Sequence, residues 1–329
     1  MRPAFSVIFL TILIGVGQGL FLALYTVQLY AFFDLLPAPD SRSFYAAGSA
    51  LALAFLCAGL VASFFHLGHP ERAWRAAAQW RSSWLSREVI VLPAFMGIVL
   101  LYGCAHWFCW HAPLIELPGG RHVDPTLLLG ALGMLLCFAL FGCTAMVYAS
   151  LRFLQEWHTP LTVINYTLLG GASGFVLASV FSALASPQLS GFHAGWAVIL
   201  TLLACVGRTA SLLRNARLKP KSSLRTAIGI KHPRIAQKTQ GAMGGSFNTR
   251  EFFHGKTPSF MRAIKPVFLV LTFFAPLALL AASLSVSSLS GPLLLAVAFI
   301  LQYVGLLAER WFFFAEANHP QNLYYQAVS

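Results

Sequence analysis

Apolar residues in this chain come in long unbroken runs rather than in strand-like alternation or a one-sided helical stripe. Eight runs reach about 20 residues, the length at which an α-helix crosses the hydrocarbon core of a bilayer. Their approximate limits are residues 5–33, 45–66, 88–110, 127–150, 161–185, 192–214, 265–285 and 291–314. Proline, glycine or charge marks the boundaries, as at Pro37 and Pro39, His69-Pro70, Pro113 and Pro118, and Pro160. The pattern predicts an all-α fold, a polytopic membrane protein built as a bundle of eight transmembrane helices in one integral domain over residues 1–329. The first run far exceeds the roughly 7–15-residue core of a cleaved signal, so it reads as a retained span. The seventh is diluted by Ser283, Ser285, Ser287, Ser288 and Ser290. Serine hydroxyls can bond back to their own helix carbonyls, so these do not forbid a span. Gly170 and Gly174, spaced to lie on one helix face, read as a packing surface between helices.

Composition agrees. Hydrophobic residues make up 58% of the chain and charged residues 10%. A soluble domain carries about 25% charged residues, so soluble-enzyme, disordered and collagen-like readings are excluded. The net charge of +12 acquires meaning from its placement. Of the 22 Lys and Arg, only Arg42 and Arg121 fall on one side of the eight-span arrangement. The other twenty collect at the N-terminus, the 2–3, 4–5 and 6–7 connections and the C-terminal end. The positive-inside rule makes that side, and both termini, cytoplasmic. This bias accounts for the basic charge without nucleic acid and fits contact with anionic membrane lipid. The basic 6–7 loop, residues 215–264, mixes aromatic and charged residues from Met243 to Gly255. It reads as a docking surface for a partner subunit. The six cysteines lie in or beside apolar segments without a Cys-x-x-Cys, which argues against a cluster or zinc knuckle in this chain. They read as small apolar core residues, with a Cys104–Cys109 disulfide left open.

The richest chemistry lies between the second and third runs, in His66-Leu67-Gly68-His69-Pro70-Glu71-Arg72-Ala73-Trp74 and Trp84-Leu85-Ser86-Arg87-Glu88. A histidine and an acid meet the same membrane face. Glu88 opens an apolar helix, whose N-terminus would stabilise a carboxylate. An acid partly inside a membrane is costly and therefore a functional candidate. The competing readings are a helix-end charge paired with Arg87 or Arg72 and a helix-end histidine at His66. Trp74, Trp80 and Trp84 could wall a ring ligand or anchor helices at the interface. Quinone chemistry needs a donor to a carbonyl oxygen, which His66 could supply, and a proton-exchanging group, which Glu88 could supply.

These segments resemble the membrane anchor subunit family of dimethyl sulfoxide reductase. So do Tyr148-Ala149-Ser150-Leu151-Arg152, Trp157-His158-Thr159-Pro160-Leu161 and Glu309-Arg310-Trp311-Phe312-Phe313-Phe314-Ala315-Glu316-Ala317. The resemblance implies a multi-pass subunit of the bacterial inner (cytoplasmic) membrane that holds no redox centre. It would bind an iron–sulfur subunit at the cytoplasmic face and, with it, a molybdopterin catalytic subunit. It would exchange electrons with ubiquinone or menaquinone at a site containing His66 and Glu88. Arg72, Trp74, Trp84, Ser86 and Arg87 would surround that site. The long basic loop is similar to that of anchors in related sulfite-oxidising complexes, which tilts the expectation to sulfite oxidation with quinone reduction over sulfoxide reduction by menaquinol. A b-type cytochrome anchor would need paired histidines. His106 with His193, or His66 with His158, could be imagined, but no haem is expected. An ion or solute carrier should bury acids near the midplane, and none of the ten acids falls clearly mid-span.

Overall fold

The computed structural model of the chain describes residues 1–118, 121–232, 234–236, 252–285 and 291–324. Among the described residues, eight helices are long and apolar enough to cross a membrane. They are α1 (Phe5–Phe32), α2 (Ser41–Phe64), α3 (Trp84–Trp107), α4 (Pro125–Ala149), α5 (Pro160–Ala185), α6 (Ser190–Ala216), α7 (Pro258–Ser285) and α8 (Gly291–Glu316). Side-chain caps explain why several begin earlier than hydrophobicity alone suggests. Asp40 accepts from the Ser43 amide and starts α2 in a wide π-turn over Ser41–Ala46. Ser83, Asp124, Thr159 and Thr257 cap α3, α4, α5 and α7 in the same manner. Each satisfies an amide that the helix start would otherwise leave unpaired. In α7, a second π-turn, Val270–Phe274, follows Pro266, which has no N–H to continue the ladder.

The longest connection lies between α6 and α7, and those from α2 to α3 and from α3 to α4 carry short elements of their own. A 3₁₀ helix over Pro70–Gln79 joins α2 to α3, and it buries none of its residues. An antiparallel hairpin, β1 (Ile115–Leu117) with β2 (Arg121–Val123), sits between α3 and α4 in the register Ile115 opposite Val123. Cys109 takes a left-handed backbone conformation just past α3. Cys104 and Cys109 are both free thiols, so the disulfide that the sequence leaves open is not formed.

The bundle is built around α1 and α5. In their most apolar windows 72% and 67% of residues are buried, against no more than 39% in the other six helices. Lipid tails are as apolar as leucine, so close backbone packing must hold such helices together. Gly15 and Gly19 of α1 lie against Gly170 and Gly174 of α5, where a Cβ on Gly174 would overlap the backbone of Gly19 and Leu20.

Successive helices alternate in direction. At one end, the N-terminal amine donates to the Ala317 carbonyl at 2.8 Å and Arg214 to the Gln155 carbonyl at 2.9 Å. Asn215 donates to Glu316 at 3.2 Å. The start of the chain, the ends of α6 and α8 and the 4–5 connection therefore meet at the same end of the bundle. At the other end, Arg121 meets Asp34 at 3.2 Å and His111 meets Asp124 at 3.0 Å.

Candidate functional site

Because Ser83 caps α3, the helix begins at Trp84 and Glu88 lies one turn inside it. The apolar pattern alone puts Glu88 at the helix opening, facing free amides. Its carboxylate is held instead by a side chain of a neighbouring helix, with Thr144 Oγ1 of α4 donating to Oε1 at 2.7 Å. Glu88 is half-buried, at the boundary between the bundle interior and its surface. The pairing with Arg87 or Arg72, open at the sequence level, gives way to other contacts. Arg87 donates to the carbonyls of Trp80 at 2.9 Å and Arg81 at 2.8 Å, which pins the loop onto the start of α3. Arg72 is exposed and lies 3.6 Å from Glu71.

The surrounding candidates divide. Ser86 is buried on α3. Trp74, Trp80 and Trp84 each carry an arginine against the ring, with Arg75, Arg81 and Arg87 at 5.5, 5.2 and 4.2 Å from the centroids. Trp74 and Trp80 are exposed. The whole 66–87 connection is thus an amphipathic, arginine-clamped segment suited to the membrane surface. His66 is exposed just past α2. Although its side chain reaches the surface, removal from water on its other sides lowers its pKa from 6.5, which favours the neutral ring. His66 is not among the residues lining the cavity beside Glu88.

That cavity runs inward from Glu88 and Thr144 to Gln18, Tyr166, Ser173 and Arg310. The space open to water centres is about 20 Å³, enough for a water molecule or two and too little for an aromatic ring.

Behind the cavity lies a buried charge cluster that sequence reasoning misses. Arg208 Nε of α6 lies 2.7 Å from Glu309 Oε1 of α8, and Arg310 Nε lies 3.6 Å from Glu309 Oε2. The Arg310 guanidinium sits 3.7 Å from the Tyr166 ring centroid, and Tyr166 stacks on Tyr148. Glu309 is 1% exposed, Arg208 2% and Arg310 4%. Glu309 is seven residues from the end of α8, roughly 10 Å along the axis. Position along the chain groups it with the acids near span ends, and Arg208 and Arg310 with the charges of the basic face. The signal that could reveal the cluster is a Glu-Arg pair inside the apolar run 291–314.

Three of the four histidines considered as haem pairs have other partners. His106 bonds Ser41 at 2.7 Å and stacks on Tyr45 at 4.4 Å. His193 bonds Ser182 at 2.8 Å, and His158 bonds the Ala149 carbonyl at 2.6 Å. No group of three or more His, Cys, Asp or Glu residues placed to hold a metal ion occurs among the described residues. Of the aromatic docking segment in the 6–7 loop, residues 243–251 lie outside the described residues. Its end folds back on the C-terminal segment, with Phe252 stacked on His319 at 3.8 Å.

The fold and the site together define a multi-pass helical membrane protein with a half-buried carboxylate near its arginine- and lysine-rich end and buried ion pairs behind it. Over residues 1–325 the chain matches the family described as DMSO reductase anchor subunit (DmsC), and it belongs to that family. It is similar to a sulfite dehydrogenase subunit of Allochromatium vinosum, with 59% identity over 329 residues that span the whole of both chains.

Proposed function

We propose that this chain is the membrane anchor and quinone-reactive subunit of a molybdopterin oxidoreductase that oxidises sulfite and reduces a membrane quinone. Family membership supports the anchor role, and the full-length likeness to a sulfite dehydrogenase subunit supports the sulfite assignment. The partners on this reading are an iron–sulfur subunit seated on the positive face and, beyond it, a molybdopterin subunit. That face is the cytoplasmic side of a bacterial inner membrane, on the strength of the twenty-to-two charge asymmetry.

The observation that carries the quinone assignment is the placement of Glu88. A carboxylate held by Thr144, half-buried at the rim of the bundle and backed by a water-sized cavity, can exchange a proton with a ligand on its outer side and with water on its inner side. Quinone reduction consumes two electrons and two protons. The iron–sulfur partner supplies the electrons, and Glu88 hands on the protons. Neutral His66 donates a hydrogen bond to a quinone oxygen. Trp74, Trp84 and Ser86 shape the approach, and Arg72 and Arg87 hold the connecting segment and face the partner.

The test is the purified complex bearing Glu88→Gln. Sulfite-dependent quinone reduction should fall by about 100-fold, while assembly, molybdenum and iron content and sulfite oxidation with an artificial electron acceptor persist. Normal quinone turnover in this variant would remove Glu88 from the mechanism. Sulfoxide-dependent quinol oxidation in place of sulfite oxidation by the wild-type complex would reverse the direction assigned.

A further inference from the structure

Glu88 cannot supply two protons per quinone from its own carboxyl. It must be reloaded, and its outer side faces ligand and lipid. We infer that the bundle contains a proton route from the aqueous positive face to Glu88, running through Glu156, the Glu309 cluster and Tyr166. The inference rests on the reading of Glu88 as the quinone-linked acid.

Three spaces are linked by shared walls, the first pair through one lining residue and the second through two. An open cleft on the positive face, lined by Lys219, Lys221 and His319, has Glu156 in its wall. Glu156 also lines a small internal cavity with Asn165, Arg208, Glu309 and Arg310. That cavity and the one beside Glu88 share Tyr166 and Arg310. The internal spaces are about 10 and 20 Å³ for water centres, which is room for single waters and not for a larger solute.

The walls are polar where an apolar bundle would be expected to be dry. The Asn165 amide oxygen and Arg208 Nη2 are buried without a hydrogen-bond partner among the described residues. Buried polar atoms of this kind are normally satisfied by ordered water. Burying three charges from two helices is costly unless it serves a purpose. The Arg208–Glu309–Arg310 cluster carries one excess formal positive charge and places the Glu309 carboxylate at the wall of the smaller cavity. Arg208 and Arg310 are positioning residues. Glu156, Glu309 and the Tyr166 hydroxyl are the groups a proton visits, with water between them. Per quinone, two protons enter from the cytoplasmic side and leave on the quinol oxygens, and two electrons arrive from the iron–sulfur subunit. No other bond changes.

The experiment uses the whole complex with Glu309→Gln, Glu156→Gln and Tyr166→Phe beside Glu88→Gln. Sulfite-to-quinone turnover should slow by about tenfold or more in Glu309→Gln and by less in Glu156→Gln, which lies at the mouth. Sulfite oxidation with an artificial acceptor should be unchanged in all four. Small permeant weak acids such as formic or hydrazoic acid should restore turnover in Glu309→Gln and Glu156→Gln, a rescue that a merely structural defect would not show. Should Glu309→Gln fail to assemble, Glu156→Gln and Tyr166→Phe carry the test. Normal turnover in the assembled route variants, alongside a defective Glu88→Gln, would overturn the route and leave the quinone site standing. Normal turnover in Glu88→Gln would overturn the quinone site itself.

Discussion

Asp124 shows how much one carboxylate contributes at the face opposite Glu88. Burial alone would raise its pKa. Hydrogen bonds from the His111 ring, the Leu127 amide and the Thr126 hydroxyl outweigh this, and the pKa lies below 3.8. A depressed carboxylate contributes stability that is fully present above its unfolded value and is lost as pH falls through its folded one. The thermal midpoint of the detergent-solubilised protein should therefore drop below about pH 4, and less steeply in Asp124→Asn. Asp124→Ala should cost about 1 kcal/mol at neutral pH through the lost α4 cap. A thermal-melt series across pH checks both. Glu88 and His66 draw attention at this scale because a histidine and an acid stand out beside long apolar runs. Glu309 is not. Its environment is made by Arg208, 101 residues away in sequence, and no local pattern announces a long-range ion pair.

Helices are the most legible elements, since each apolar run becomes a span with ends shifted by only a few residues. The shifts come from polar caps that a hydrophobicity count ignores, and at Ser83 the shift changes the chemistry by moving Glu88 off the helix end and onto Thr144. The crossing of α1 and α5 depends on glycine pairs, of which the sequence pattern marks only the fifth-span partner. Gly174→Leu should force the two backbones apart and cost about 1–3 kcal/mol, the usual range for overpacking. Lower yield of assembled complex and a reduced melting temperature are the measurements, with Gly195→Leu, where no atom lies within 4 Å of an added Cβ, as the control expected to be mild.

At the scale of the molecule, charge orients the bundle and the bundle orients the chemistry. A cysteine introduced at Ser222 in the basic loop should react with a membrane-impermeant thiol reagent only from the cytoplasmic side. One introduced at Glu116 in the β1–β2 hairpin should react only from the opposite side. Labelling in intact cells against inverted vesicles checks the assignment, and the reverse pattern would move both the partner face and the proton source. The same architecture ties fold to reactivity through one shared wall. Gly15 and Gly170 form part of the tight crossing of α1 on α5, and both also line the gap beside Glu88. On those sides the gap is bounded by backbone, which has no rotamers to swing and nothing left to truncate. A side chain added at either glycine would press on the facing backbone or on the Phe141 ring, so variants with a roomier gap must be sought at Thr144, Phe141 or Leu306, on the walls made of side chains.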